Sequence, residues 1–208
     1  MLSQGLKDVY FLLNRYAVLP ATIWTRLRYA RRTGLIVHLG SGDDYREGMI
    51  NVDGNFARRK DLWLDLRNRL PFADQSVRLL YCCHMLEHVL PEDALRLLAE
   101  MHRVTASDGV VRIAVPSFER CLEISHGRDE SKWPREFDDP LSQAINYIFC
   151  DGQHKYAYCF GNLSEFATRA GFSSVRNISA EEGLVEKDYD GIKLGHEPPG
   201  SLVVELRR

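Results

Sequence analysis

The chain has 208 residues, 45% of them hydrophobic, and a formal net charge of −2. This length holds one substantial core rather than two domains, and the near-neutral charge supplies no field to gather a nucleic acid or a strongly acidic partner. Its five cysteines (Cys82, Cys83, Cys121, Cys150 and Cys159) are odd in number and lack a C-x-x-C pair, which predicts free thiols in a reducing, cytoplasmic setting.

Residues 1–33 read as a helical extension to a single domain spanning 34–208. Two short helices are predicted there, broken at Pro20. The first carries Leu6, Val9, Tyr10, Leu13 and Ala17 at helical spacing, and the second sets Ile23, Trp24 and Leu27 against Arg26, Arg28, Arg31 and Arg32. Such a basic amphipathic stripe is what a peripheral contact with an anionic membrane surface requires. A helix packed on the domain with its arginines in water is the commoner outcome. The order of basic, apolar and small residues that marks a secretory leader is missing here, and no run is apolar enough to span a bilayer.

From Leu35 onward, apolar strands are predicted at Leu35–Leu39, Met49–Val52, Leu62–Leu66, Val77–Cys82 and Val110–Val115. Strands apolar on both faces, alternating with other segments, predict a parallel sheet covered by helices. Pro91–Val104 is a predicted helix, with Pro91, Glu92 and Asp93 in its first turn and Ala94, Leu95, Leu98 and Met101 on one stripe. A second is read at Asn162–Gly171, with Asn162 and Glu165 at capping-box spacing and Gly171 as its terminator. Two last strands follow at Val175–Ile178 and Leu202–Leu206, and the polar stretch 181–200 between them, rich in glycine and proline, reads as a loop.

The most informative segment is Leu35–Gly54, LIVHLGSGDDYREGMINVDG, in which one apolar strand runs into Gly40-Ser41-Gly42 and the next ends on Asp53. A nucleoside laid across parallel strand ends needs backbone without side chains at its closest approach and a carboxylate to accept its ribose hydroxyls. A dinucleotide site would add a third glycine, a full crossover helix and a longer spacing to the acid. Here Asp43 and Asp44 follow the glycines at once. Carboxylates repel a pyrophosphate and attract the sulfonium and ammonium of S-adenosylmethionine, so the segment favours that cofactor over a nicotinamide one.

Two further cues lie downstream. Asp65 and Leu66 end the third strand, where a carboxylate can accept an adenine amino group. The fourth strand runs straight into Cys82-Cys83-His84-Met85-Leu86-Glu87-His88 at the carboxyl edge, where ligand sites of open α/β sheets sit. Taken together, VHLGSGDD…NVDG, LDLRNRLPFADQSVRLLYCCHMLEHV, AEMHRVTASDGVVRIAVPS and QHKYAYCFGNLSEFATRAGF resemble the class I S-adenosylmethionine-dependent methyltransferases over most of Leu35–Phe172. The likeness is strongest to small bacterial members often associated with surface-polysaccharide biosynthesis. It implies a Rossmann-like α/β fold, with a seven-stranded, mainly parallel sheet, a reversed last strand, helices on both faces and the N-terminal helices in addition. It also implies Gly40, Ser41 and Gly42 beside the methionine portion, Asp53 and Gly54 at the ribose, Asp65 and Leu66 near the adenine, and the backbone of Cys82, Cys83 and His84 lining the cofactor. Ser41, Arg78 and Ala106-Ser107-Asp108 depart from the residues common at those positions, while Gly40, Gly42 and Gly109 are retained.

Methyl transfer from a sulfonium is an in-line displacement that proximity alone can accelerate, and a hydroxyl acceptor gains from a general base. His88 is the preferred base, with His84 and His154 as the other candidates. The acceptor, a small molecule or a glycan, is expected over the segment Ser117–Tyr158, with His154, Tyr156 and Tyr158 in contact. Aromatics such as Phe118, Trp133, Phe137, Tyr147 and Phe149, with Arg120, Arg128, Arg135 and Lys155, suit a sugar or sugar phosphate. A rival reading is the H-x-x-E-H zinc-hydrolase pattern of His84, Glu87 and His88. That motif belongs inside a helix, whereas His84 follows a strand, so no metal is expected. The remaining alternative is a noncatalytic domain of the same fold that binds the cofactor or a partner.

Overall fold

The computed structural model describes residues 9, 10, 13, 16, 25, 27–128, 136–179, 187–189, 191–194 and 197–208. Most of the two predicted N-terminal helices, together with Trp133 and Arg135, lies outside the described residues; residues 9, 10, 13, 16, 25 and 27–29 are helical. No described helix is long and apolar enough to cross a membrane.

Among the described residues nine strands are present: β1 (Leu35–Leu39), β2 (Ile50–Asp53), β3 (Leu62–Trp63), β4 (Val77–Cys83), β5 (Thr105–Pro116), β6 (Ser174–Asn177), β7 (Lys187–Tyr189), β8 (Ile192–Leu194) and β9 (Ser201–Arg207). Seven of them form one sheet in the order β3-β2-β1-β4-β5-β9-β6. The β1–β2, β1–β4, β2–β3 and β4–β5 pairs are parallel. β9 runs antiparallel to both β5 and β6, so it alone is reversed. Because the strand order turns back at β1 and β4, their carboxyl ends open a crevice, the usual ligand position in such sheets.

From β1 onward the described α-helices are α1 (Pro91–Val104), α2 (Phe118–Ser125), α3 (Pro140–Phe149) and α4 (Phe160–Arg169). α1 has the predicted bounds, with Pro91 in its first turn and Ala94, Leu97, Leu98 and Met101 buried. With Leu163 and Ala167 of α4 and with Tyr29, these side chains cover one face of the sheet over Val37, Leu39, Leu80, Val111 and Ile113. α4 begins two residues before the predicted start, capped by Cys159. Asn162 is therefore its third residue, and its side chain accepts from the Cys159 N–H.

The other face buries Leu79, Tyr81 and Val110 against Met49 and Leu194. Leu194 belongs to a β7–β8 hairpin inside the stretch expected as a loop. Tyr189 pairs with Ile192, and the Asp-Gly dipeptide in the sequence between them is a two-residue hairpin signal that the surrounding polar composition masked. Beneath this hairpin face, the fully buried Arg112 pairs with Glu197 and, at 3.6 Å, with Glu205.

Two strand boundaries differ from expectation by more than a residue, and two helices went unread. β3 stops at Trp63 because Leu64, although it bonds to Asp53 O, is followed by a turn that Asp65 organises. β5 starts five residues early, at Thr105. α2 and α3 went unread, although Asp139 and Pro140 are an N-cap and first-turn proline pair, with the Asp139 carboxylate accepting from Ser142 N–H. These two helices pack on each other through Cys121, Ile124, Ala144, Tyr147 and Ile148.

Candidate functional site

The glycine turn is built by backbone needs. Gly40 N–H and Ser41 N–H both donate to Val52 O at the end of β2, and Gly40 and Gly42 adopt φ of +68° and +50°. A Cβ on Gly40 would collide with the Met85 side chain, so glycine is required there for packing across the β4 end. At Gly42 a Cβ would meet nothing within 4 Å. That open space, at a positive φ, is the cradle a ligand's approach calls for.

Asp53 fastens the turn. Its Oδ2 accepts from Gly42 N–H at 2.8 Å and its Oδ1 from Asn55 N–H at 2.6 Å. Each oxygen keeps acceptor capacity for a further donor such as a ribose hydroxyl. Gly54 O accepts from Trp63 Nε1–H at 3.0 Å and from Tyr10 O–H at 2.9 Å, so the N-terminal extension ties itself to this loop. The role of Tyr10 was not legible from sequence, since a helical tyrosine in an apolar stripe carries no sign of its distant partner.

The acidic loop is less negative than its sequence implies. Asp44 pairs with Arg46 and Asp43 with Arg58, so arginines local in space offset both charges. Asp65 is buried, and its carboxylate accepts from the N–H, Nε and Nη2 of Arg67. An adenine amino group would share that carboxylate with Arg67. Leu66 is buried beside it, and Ser41 is buried with its hydroxyl unpartnered among the described residues.

At the end of β4, burial pushes the Cys83 thiol up to about 11 and the Cys82 thiol well above its ordinary value. All five cysteines are free thiols. His84 turns the chain with φ +48°, and a single 3-10 turn spans Leu86–His88. This is a strand end and a short turn, not the continuous helix an H-x-x-E-H hydrolase motif occupies.

Glu87 holds the centre of this edge. Its side chain is 2% exposed, and neither carboxylate oxygen has a hydrogen-bond partner in another described residue. Oε1 lies 3.7 Å from His84 Nδ1 and 3.9 Å from both His88 Nε2 and His154 Nε2. Burial raises the Glu87 carboxyl to about 8 and lowers His84 to about 4; burial also lowers His154, against a backbone bond that raises it. The sequence reading named Glu87 only within the H-x-x-E-H pattern it set aside, because nothing in sequence places His154, 67 residues downstream, against it. The contact is made by Lys155 N–H and Tyr156 N–H, which both donate to Glu87 O.

His154 and Tyr156 also line a groove of about 700 Å³ between α2 and α3, whose walls include Phe118, Leu122, Ile145 and Phe149. Tyr158, the third residue expected at the acceptor, is instead buried in the core, with its ring against Tyr156 and Phe166. Tyr147 is likewise buried, donating its hydroxyl proton to Gly200 O. The groove walls are far more apolar than a sugar site requires.

Residues 28–113, from before β1 into β5, match the family model described as a methyltransferase domain. The whole chain is similar in fold to S-adenosylmethionine-dependent methyltransferases of known structure. One from Archaeoglobus fulgidus has 14% identity and a TM-score of 0.53, with 92% of this chain and 94% of that one covered. One from Thermotoga maritima has 16% identity and a TM-score of 0.51, covering 98% and 94%. A third, from Mesorhizobium loti, has 19% identity and a TM-score of 0.50, covering 92% and 98%. Comparison with curated proteins gives no match. Residues 28–113 thus match a methyltransferase domain, and the chain has the fold of S-adenosylmethionine-dependent methyltransferases. Domain and fold imply S-adenosylmethionine as the cofactor, and the open cradle at Gly42 and the spare acceptor capacity of Asp53 fit it.

Proposed function

We propose that the protein transfers a methyl group from S-adenosylmethionine to a small-molecule or glycan acceptor bound in the α2–α3 groove. The observation that carries this reading is the meeting, at one sheet edge, of the Asp53-fastened glycine turn, the end of β4 and a groove that opens beside His154.

S-adenosylmethionine, when bound, supplies an electrophilic methyl group on a sulfonium. The chain's part is to place and shelter it. The Gly40–Gly42 turn lets backbone approach the methionine portion, Asp53 accepts ribose hydroxyls, Asp65 and Leu66 bound the base, and the Cys83–His84 backbone forms the floor. The apolar walls of the groove receive an apolar portion of the acceptor and exclude water, which strengthens the polar contacts at its mouth. His88, 39% exposed, and the mostly buried His154 are the groups placed to act on an acceptor hydroxyl there.

Methyl transfer from isotopically labelled S-adenosylmethionine, measured on one panel of activated sugars and glycans and another of apolar hydroxylated compounds, tests the proposal. Transfer to a member of either panel is expected, with Ile145→Glu lowering kcat/KM for the acceptor about tenfold or more and leaving cofactor affinity unchanged. Unaltered turnover in that variant would remove the acceptor from the groove.

A further inference from the structure

At Tyr10 the N-terminal extension meets the loop that follows Asp53, and one hydroxyl makes two backbone contacts there. Its O–H donates to Gly54 O at 2.9 Å, and its oxygen accepts from Phe56 N–H at 3.1 Å. A hydroxyl can do both at once, because it carries a donor and acceptor pairs on a single atom. The Tyr10 ring lies tilted against the Phe56 ring, with centroids 5.7 Å apart. A helical residue 44 positions before Gly54 thus staples the peptide 54–56 from outside the turn.

That peptide lies beyond the sheet. Asp53 pairs with Trp63 at the last register position of β2 and β3, so the ladder ends where the loop begins. Gly54 O also accepts from Trp63 Nε1–H at 3.0 Å, so one donor from β3 and one from the extension converge on it. Asn55 is half-buried and Phe56 is exposed, and an exposed loop outside a ladder opens locally with ease unless it is tied.

The loop matters because it orients Asp53. Asn55 N–H donates to Oδ1 at 2.6 Å while Gly42 N–H donates to Oδ2 at 2.8 Å, so the carboxylate is held from both sides. When 54–56 moves, the Asn55 N–H is withdrawn and the carboxylate turns about its terminal torsion, which has a broad, soft profile. A ribose that needs both oxygens in one orientation then binds only the fraction of molecules whose loop is in place, and its apparent affinity falls by that fraction.

We infer that Tyr10 is a positioning residue for the cofactor: through the peptide 54–56 it fixes the Asp53 carboxylate for the ribose, and it couples S-adenosylmethionine binding to docking of the N-terminal extension. The inference rests on the proposed placement of the ribose at Asp53. The coupling is reciprocal: a docked Tyr10 that tightens cofactor binding requires that bound cofactor tighten the docking of Tyr10 by the same factor.

The test compares the full chain with its Tyr10→Phe variant, which keeps the ring and removes the hydroxyl. Tyr16→Phe, the same deletion at an exposed tyrosine of the extension, is the control. Calorimetric titration with S-adenosylhomocysteine should show affinity reduced about three- to tenfold in Tyr10→Phe, the worth of one hydrogen bond, and unchanged in Tyr16→Phe. Hydrogen exchange supplies a readout that a merely structural tyrosine would not move. In the wild type, saturating S-adenosylhomocysteine should slow amide exchange in the peptide carrying Tyr10 about three- to tenfold, and Tyr10→Phe should lose that protection. Affinity within twofold of wild type in Tyr10→Phe, or wild-type exchange in the Tyr10 peptide that is indifferent to the ligand, overturns the inference. The exchange comparison on the wild type needs no variant, so it decides the matter even where Tyr10→Phe does not fold. A wild type that binds no S-adenosylhomocysteine overturns the cofactor reading and the role of Tyr10 with it. A wild type that binds beside an indifferent Tyr10→Phe leaves the cofactor in place and removes the positioning role alone.

Discussion

Replacing Asp53 with Ala separates the structural job of its carboxylate from the ligand-binding job proposed for it. In the folded chain it accepts two backbone N–H bonds, from Gly42 and Asn55. A hydrogen bond to a charged group contributes about 1.5–3 kcal/mol. Both donors sit in a partly exposed loop where water can replace the carboxylate, so the combined loss of stability is set at about 2–3 kcal/mol, the low end. With an unfolding entropy of about 2.1 cal/mol/K per residue over 208 residues, a Tm drop of about 5–7 °C follows. Loss of the acceptor for two ribose hydroxyls should cost a further 3–6 kcal/mol of binding, roughly a 10²–10⁴-fold fall in S-adenosylmethionine affinity. Calorimetric titration at a temperature where circular dichroism shows the variant folded reads the two effects apart. A variant that loses the expected Tm yet binds S-adenosylmethionine within threefold of wild type would refute the assignment and leave Asp53 a loop fastener only.

Gly40→Ala and Gly42→Ala should diverge. The first meets Met85 as well as an unfavourable φ and should destabilise the fold by more than the roughly 1–3 kcal/mol of strain alone, with Met85→Ala restoring part of the loss in thermal melts. The second has room within the protein, so strain is its only folding cost, and its larger effect should be on cofactor affinity. Arg112→Met would leave Glu197 and Glu205 buried without their cation, a change expected to cost about 3–5 kcal/mol and to appear in chemical denaturation as a lower midpoint with little change in slope. Wild-type stability in that variant would show that the two carboxylates find other compensation.

How much of this was legible in sequence depended on whether a feature is local. The glycine turn, Asp53 and α1 were read directly, because strand end, turn residue and first-turn proline leave their marks within a few positions. The β7–β8 hairpin escaped because its two short strands lie in a stretch whose composition reads as loop. The site features that could not be read are those made by long-range packing: Arg67 closing on Asp65, arginines offsetting Asp43 and Asp44, Tyr10 reaching Gly54, and His154 brought to Glu87. His84 and His88 were singled out as isolated candidates. Only the fold shows that they, His154 and one buried carboxylate form a single cluster.

The most direct test of the central claim is isothermal titration calorimetry with S-adenosylmethionine and S-adenosylhomocysteine, run beside NADH. Saturable micromolar binding of the first two at one site per chain, with no heat from NADH, is the expected result. No binding of either methyl-cycle ligand to the folded chain, or binding of NADH in their place, would contradict the assignment of the Gly40–Gly42 turn and Asp53 to that cofactor.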